Sequence, residues 1–306
     1  MNDKHDELSR IKRLVQTIRP GCTLRRAWPL EGGVSAQVTA FEIEQPDGRT
    51  ERLVIRRHGA IDKGHNPDIA RDEFSLLAIL HQAGLAVSKP VYHDSANQIF
   101  PTPYIVVEYI NGSIDIIPTD LPDALRQIAV FLARLHALDL GKHGVQFLPR
   151  REDPVDSILQ HLSHTPNADR IHAALDACGP FSSMNERVLL HGDYWPGNIM
   201  WRDGRIAAVL DWEDAAIGDP LADLAGCRLE LLWKFSLSAM ADFTAHYTAM
   251  ASIDLANLPF WELYVASGAS AHMSEWGLDP ATEADMRHKT NTFLERATSD
   301  LAGRQV

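Results

Sequence analysis

One stretch constrains the fold of this 306-residue chain more than any other: Val188-Leu189-Leu190-His191-Gly192-Asp193-Tyr194-Trp195-Pro196-Gly197-Asn198-Ile199-Met200-Trp201, followed by Val209-Leu210-Asp211-Trp212. The apolar residues 188–190 have the character of a short buried strand, and they run into a His-Gly-Asp turn. Asn198 stands five positions after Asp193, and an Asp-Gly turn then separates two apolar runs, the second ending in Asp211. An Asp-Gly pair between apolar runs signals a hairpin. The segment therefore predicts a strand, a polar loop, a hairpin and a terminal acid. An isolated His-x-Asp is common, but two spaced acids, the Asn and a following Gly-Asp-Pro-Leu-Ala-Asp segment form a multi-part pattern.

Phosphoryl transfer gives a chemical reason for that combination. A carboxylate at Asp193 can orient an attacking hydroxyl and accept its proton, while Asn198 and Asp211 offer oxygen ligands to Mg²⁺ on nucleotide phosphates. The spacing H-x-D-x-x-x-x-N is that of a kinase catalytic loop, and Asp211 falls where the acid of a DFG segment would fall. Here the triplet is Asp211-Trp212-Glu213, and no A-P-E segment follows, which argues against a protein kinase.

At these residues the chain resembles the aminoglycoside phosphotransferase and choline-kinase-like family of small-molecule kinases. The likeness is carried by HGDYWPGNIM (191–200), VLDWEDAAIGDPLADLA (209–225) and FLARLHALDL (131–140). It implies Asp193 as catalytic base, Asn198 and Asp211 as Mg²⁺ ligands, and ATP or GTP as phosphoryl donor. It also implies an α+β, two-lobed protein-kinase-like fold with a small antiparallel-sheet N-lobe and a larger, mainly helical C-lobe. The nucleotide is then expected between the lobes.

Composition narrows the partners. The length suits one large or two coupled lobes, and 45% apolar content allows a sizeable core. A formal net charge of −12 argues against nucleic acid as a partner, because such binding rests on Lys and Arg contacts to phosphate. Cys22, Cys178 and Cys227 are few, odd in number and far apart, so no disulfide framework is expected. With a charged N-terminus and no long apolar run, the expectation is a cytoplasmic protein without a membrane partner. Nothing in the pattern sets an oligomeric state.

From the N-terminus, Leu8, Ile11, Leu14, Val15 and Ile18 share one helical face in residues 4–19, which Pro20-Gly21 closes. Strands are expected at 24–28, 37–44 and 52–57, the last two joined by Pro46-Asp47-Gly48. Between the first two lies Glu31-Gly32-Gly33-Val34-Ser35-Ala36. The family likeness makes Gly32, Gly33 and Ser35 a cover for the nucleotide phosphates, where glycine lets backbone N–H groups approach closely. Without that likeness the same residues read as a plain turn.

Arg56, on the third strand, stands where kinases carry a phosphate-contacting Lys, and a guanidinium keeps both the charge and a two-pronged reach. A solvated pair of arginines at a strand end is the competing reading. In the helix expected at 68–82, Glu73 is the preferred partner of Arg56 and Asp72 its rival, since helix geometry turns adjacent residues about 100° apart. The apolar strand 104–110 leads, by the likeness, into a hinge where backbone groups of Glu108 and Ile110 meet the nucleobase. The boundary between lobes is placed there, giving 1–108 as the nucleotide-binding lobe and 109–306 as the catalytic and acceptor-binding lobe.

Leu121 to Leu138 is expected as an amphipathic helix with Pro122 in its first turn. His136 lies beside its apolar face and reads as a satisfied core residue, while His161 and His164 read as surface residues. Asp219 is expected to cap a helix begun by Pro220, and Asp223 to be structural. Beyond it the chain is helical and rich in aromatics, and Glu213, Glu230, Glu262 and Glu275 are candidates to line an acceptor pocket and bind amines, in keeping with an acidic balance that favours a cationic acceptor, against a reading as acids on solvated helix faces. The leading expectation is Mg²⁺-dependent transfer of a γ-phosphoryl group to a small-molecule hydroxyl. The alternative is a catalytically slow nucleotide-binding regulatory module of the same fold, suggested by Arg56 in place of Lys.

Overall fold

The computed structural model describes residues 2–30, 36–59, 64, 66–116, 120–151 and 153–303. They form two compact units, Met1–Ser113 with Ala207–Glu213, and Ile114–Ile206 with Asp214–Val306. The division falls at 113/114, not 108/109, and returns the segment carrying Asp211 to the first unit.

In the first unit, helix α1 (Asn2–Ile18) precedes strands β1 (Thr23–Pro29), β2 (Gln37–Glu44) and β3 (Thr50–Arg57). Helix α2 (Ile69–Gln82) and strands β4 (Pro90–Asp94) and β5 (Tyr104–Glu108) follow. The sheet order is β1-β2-β3-β5-β4, with every neighbouring pair antiparallel. Alternation along the strands drives this packing: Phe41, Ile43, Leu53, Ile55 and Val106 join Ile11, Leu14 and Val15 of α1 in one core. Leu8, expected on that face, is 40% exposed. Val209 forms a parallel bridge with Val87 and donates its N–H to the Ala86 carbonyl at 2.8 Å, tying 207–213 to this unit.

The second unit is mainly helical. Its helices are α3 (Leu121–His136), α4 (Leu140–His143), α5 (Val155–His161), α6 (Ala168–Cys178), α7 (Leu221–Lys234), α8 (Leu237–Thr248), α9 (Leu258–His272) and α10 (Pro280–Ala302). Helix α9 is buried on most sides, with Phe260, Trp261, Leu263 and Ala266 inside, and it packs against α5, α7 and α10. A small sheet joins β6 (Arg150–Arg151), β10 (Ala216–Gly218) and β7 (Val188–Leu190) in that order. It sets Arg151 beside the loop that leaves β7. Strands β8 (Ile199–Arg202) and β9 (Arg205–Val209) form the expected hairpin. Asp203 and Gly204 turn it at φ 53° and 70°, as a two-residue hairpin requires. No helix among the described residues is long and apolar enough to cross a membrane.

Candidate active site

Strand β7 delivers the loop 191–198, and a buried carboxylate fixes it from below. Asp223, on the first turn of α7, accepts from the backbone N–H of His191 at 2.7 Å, from that of Gly192 at 2.9 Å, and from His136 Nε2 at 3.2 Å. The Tyr247 hydroxyl lies 2.7 Å from His136 Nδ1. Burial alone would push the Asp223 carboxyl up, but His136 and the Gly192 amide hold it below its ordinary value. Gly192 has φ 88°, and a Cβ there would run into the Asp214 carbonyl, 2.6 Å from its carbon. Only glycine suits that position.

Asp193 follows at once. Its N–H donates to His191 Nδ1 at 3.2 Å, and the Asn198 amide donates to both its carbonyl and its Oδ2 at 2.9 Å. Because its nitrogen is the donor there, Asn198 is left with its amide oxygen as the atom to offer a cation. The Asp193 side chain opens to a cavity, yet the protein around it raises its pKa, with Asp214 adding to the effect and Asn198 opposing it. A raised pKa makes a stronger base at no cost in reach.

The cavity measures about 330 Å³ and lies wholly within the second unit. Aromatic wall comes from Trp195, Trp233, Tyr264 and Trp276. Glu230 lines it, half-buried, and its carboxyl is pushed up to about 8 by burial and by the Asp193 charge. Of the four glutamates considered from sequence, it alone faces this space. Glu262 pairs with Arg228 at 2.7 Å, Glu275 is exposed beside His272, and Glu213 belongs to the first unit. His161 corrects the sequence expectation of a surface residue: it lines the cavity, and its Nδ1 is buried. The short helix α5 carries too little periodicity to show which face is inward. His164 is exposed as expected.

Arg56 organises the first unit's acids. Its Nη1 donates to Glu73 at 2.7 Å, and its Nη2 donates to Asp211 and to Glu213 at 2.6 Å each. A buried guanidinium thus serves three carboxylates, so the solvated-pair reading of Arg56 fails. Arg57 turns instead to Glu7 at 2.7 Å. Burial alone would raise Glu73, but Arg56 and His58 hold it below the usual carboxylate range. Asp72 is buried too, which two adjacent helix positions were not expected to share; it faces Asn66 at 3.0 Å and Arg71 at 3.1 Å. Asp211 has φ 63°, an uncommon backbone for a residue with a side chain.

The other residues picked from sequence are placed unevenly. Gly32, Gly33 and Ser35 lie outside the described residues. The Glu108 N–H donates to the Lys89 carbonyl at 2.9 Å. Ile110 lies just beyond β5. Asp219 does not itself cap α7, since Pro220 holds that place, but its carboxylate accepts from Leu221 N–H at 3.0 Å and ties down Ser183 and Asn185. Taken singly, the Asp211 carboxylate and the Asn198 amide oxygen are each a hard oxygen donor of the kind Mg²⁺ takes.

The chain has matches among known proteins. The sequence pattern of the phosphotransferase enzyme family matches residues 27–260. The rat protein named acyl-CoA dehydrogenase family member 11 is 28% identical over 239 residues, which is 67% of this chain but only 30% of that protein. The chain therefore spans about a third of the length of such relatives. Among solved structures, an aminoglycoside phosphotransferase in complex with GDP and kanamycin superposes with a TM-score of 0.63 at 18% identity, over 96% of this chain and 98% of that one. A choline kinase from Streptococcus pneumoniae gives 0.62 at 17% identity, over 97% and 99%. At such identities these structures show the fold, which is kinase-like.

Proposed function

The chain belongs to the phosphotransferase enzyme family, and from that premise we propose that it moves the γ-phosphoryl group of ATP or GTP to a hydroxyl of a small molecule seated beside Asp193. The observation that carries this reading is a carboxylate of raised pKa, held by Asn198, open to a cavity of about 330 Å³. The acceptor hydroxyl donates to Asp193. As its oxygen bonds to the γ-phosphorus and the bond to the leaving nucleoside diphosphate breaks, its proton passes to the Asp193 carboxylate. Asp223 keeps the loop in place through two backbone N–H groups.

Mg²⁺ held by the Asp211 carboxylate and the Asn198 amide oxygen would neutralise phosphate charge. Arg56, anchored by Glu73, orients Asp211 and Glu213. Three of its five N–H donors serve carboxylates, and the Nε–H and the second Nη1–H remain for phosphate. Gly32, Gly33 and Ser35 would cover the phosphates, with the Glu108 carbonyl and the Ile110 backbone at the base.

Thermal shift with Mg²⁺ plus ATP or GTP, paired with nucleoside diphosphate release, tests the assignment. Nucleotide at about a hundred times its Kd should stabilise the native chain by roughly 2.7 kcal/mol, and Asp211→Ala should lose that shift. Asp193→Asn should keep the shift while its turnover falls about 10²- to 10⁴-fold. Undiminished turnover in Asp193→Asn would remove the base from the mechanism.

Relatives named for acyl-CoA dehydrogenase stand beside a viomycin phosphotransferase and a hygromycin-B kinase, so an acyl compound bearing a hydroxyl is a second reading of the acceptor beside an amino sugar or choline. An acceptor panel with all three classes separates them.

A further inference from the structure

Arg151 is the basic group of the cavity that the reaction above leaves without a task. It sits on β6, is half-buried, and lines the cavity with Ser157 and His161 on the side of α5. Its Nη1 donates to the Gly192 carbonyl at 3.3 Å, next to Asp193 in the chain. Among the described residues it forms no ion pair with a carboxylate, although arginines elsewhere in the chain are commonly paired. A guanidinium set into a cavity with one long bond to a carbonyl keeps most of its five donors unspent. Its planar fork suits a carboxylate or phosphate in two-pronged contact.

Four acids, Asp193, Asp214, Asp223 and Glu230, line the same cavity, and Asp223 is already spent on the backbone N–H groups of His191 and Gly192. The Glu230 carboxyl holds its proton at neutral pH, so it can donate a hydrogen bond and need not repel an anion. Asp193 and Asp214 are the carboxylates an anionic group would have to stand clear of, and Arg151 is the cavity's guanidinium to offset them.

We propose that the acceptor carries an anionic group, carboxylate or phosphate, which Arg151 grips while the acceptor's hydroxyl lies at Asp193. Arg151 is then a specificity-determining residue, and the substrate class is a small hydroxylated acid. This inference rests on Asp193 as the acceptor-side residue, but its test needs no phosphoryl transfer.

Trp195, Trp233 and Trp276 line the cavity and report occupancy through their fluorescence. Titrating the full chain without nucleotide, 4-hydroxybutyrate should bind at least tenfold tighter than 4-hydroxybutyramide or 4-amino-1-butanol. Glycerol 3-phosphate distinguishes the anion: if it outcompetes the hydroxy acid, the group is a phosphate. Arg151→Gln should erase the preference for the acid, and Arg151→Lys should keep part of it. Tighter binding of the amino alcohol, no binding by any of these probes, or equal weakening of all of them in Arg151→Gln would overturn the proposal. Should Arg151→Gln fail to fold, the order of affinities in the native chain decides alone. Preferential binding of acids without turnover would leave this inference standing and sink the proposed reaction, whereas turnover indifferent to acceptor charge would do the reverse.

Discussion

Replacing Gly192 by alanine puts a number on the strain in the loop that carries Asp193. The residue sits at φ 88°, where a side chain costs about 1–2 kcal/mol. The new Cβ would lie 2.6 Å from the Asp214 carbonyl carbon and even nearer its oxygen, so that backbone must move, at about 1–3 kcal/mol in packed surroundings. Gly192→Ala should therefore lose roughly 2–5 kcal/mol in all, summing those two costs. Gly204→Ala is the matched control, since it also has positive φ, 70°, but open space where its Cβ would go. It should lose only the conformational part, about 1–2 kcal/mol. At about 2–4 °C per kcal/mol for chains near this size, the Tm falls by roughly 4–20 °C in the first variant and about 2–8 °C in the second. Gly192 also donates to Asp223 and accepts from Arg151, so the displaced loop carries Asp193 with it. A misplacement of about 1 Å can cost 10²-fold in rate, and diphosphate release by Gly192→Ala should fall at least that far. Equal Tm losses in the two variants, or full turnover in Gly192→Ala, would refute this account of the loop.

Glu230 makes stability depend on pH. Its carboxyl, at about 8 in the fold against 4.5 ordinarily, keeps a proton that the unfolded chain releases, so the stability it contributes is full below pH 4.5 and is lost as the pH rises to 8. Glu230→Gln should accordingly melt above the native chain at pH 8 and level with it near pH 4.5; a gap that does not change with pH would mean that Glu230 does not titrate in that window. Asp223→Asn has a single acceptor oxygen for the three donors that Asp223 satisfies, and should lose about 1–3 kcal/mol by urea midpoint with a fall in kcat larger than any change in KM. A change in KM alone would place Asp223 in the acceptor wall and not under the loop.

Much of this was legible because the information is local. The loop from β7 to Asn198, the Asp203-Gly204 hairpin and the apolar face of α3 each sit within about twenty residues of sequence, where spacing maps onto geometry. The pairing of Arg56 with Glu73 was legible through the kinase likeness, which sets a strand position against a helix position. What escaped was non-local or short. The attachment of 207–213 to the first unit depends on a bridge between Val87 and Val209, which no periodicity announces. Strands β6 and β10 have two and three residues, too few for alternation to register, so the placement of Arg151 beside Gly192 stayed hidden. His161 was misjudged for the same reason. Glu213, considered for the acceptor, proved to share Arg56 with Asp211, because Trp212 is buried with its indole on the Val209 carbonyl and both its neighbours turn toward the guanidinium.

The carboxylates around the loop differ in role because they differ in the donors they accept, more than in depth alone. Asp223 is fully buried and takes two backbone N–H groups and an imidazole, so it stays ionised and is spent on structure. Asp193 is raised by the protein around it, and His191 and the Asn198 amide only partly offset that, so it remains a carboxylate of raised basicity with lone pairs to spare. Glu230 has no hydrogen bond among the described residues and stands in the field of Asp193, so it rises furthest and keeps its proton near neutrality. One gradient of hydrogen-bond supply thus yields an anchor, a base and a neutral donor within a single helix-and-loop framework. Removing donors from Asp223 should move it along the same series: His136→Ala takes away its imidazole but leaves both backbone bonds, and so should raise the Asp223 pKa without releasing the loop.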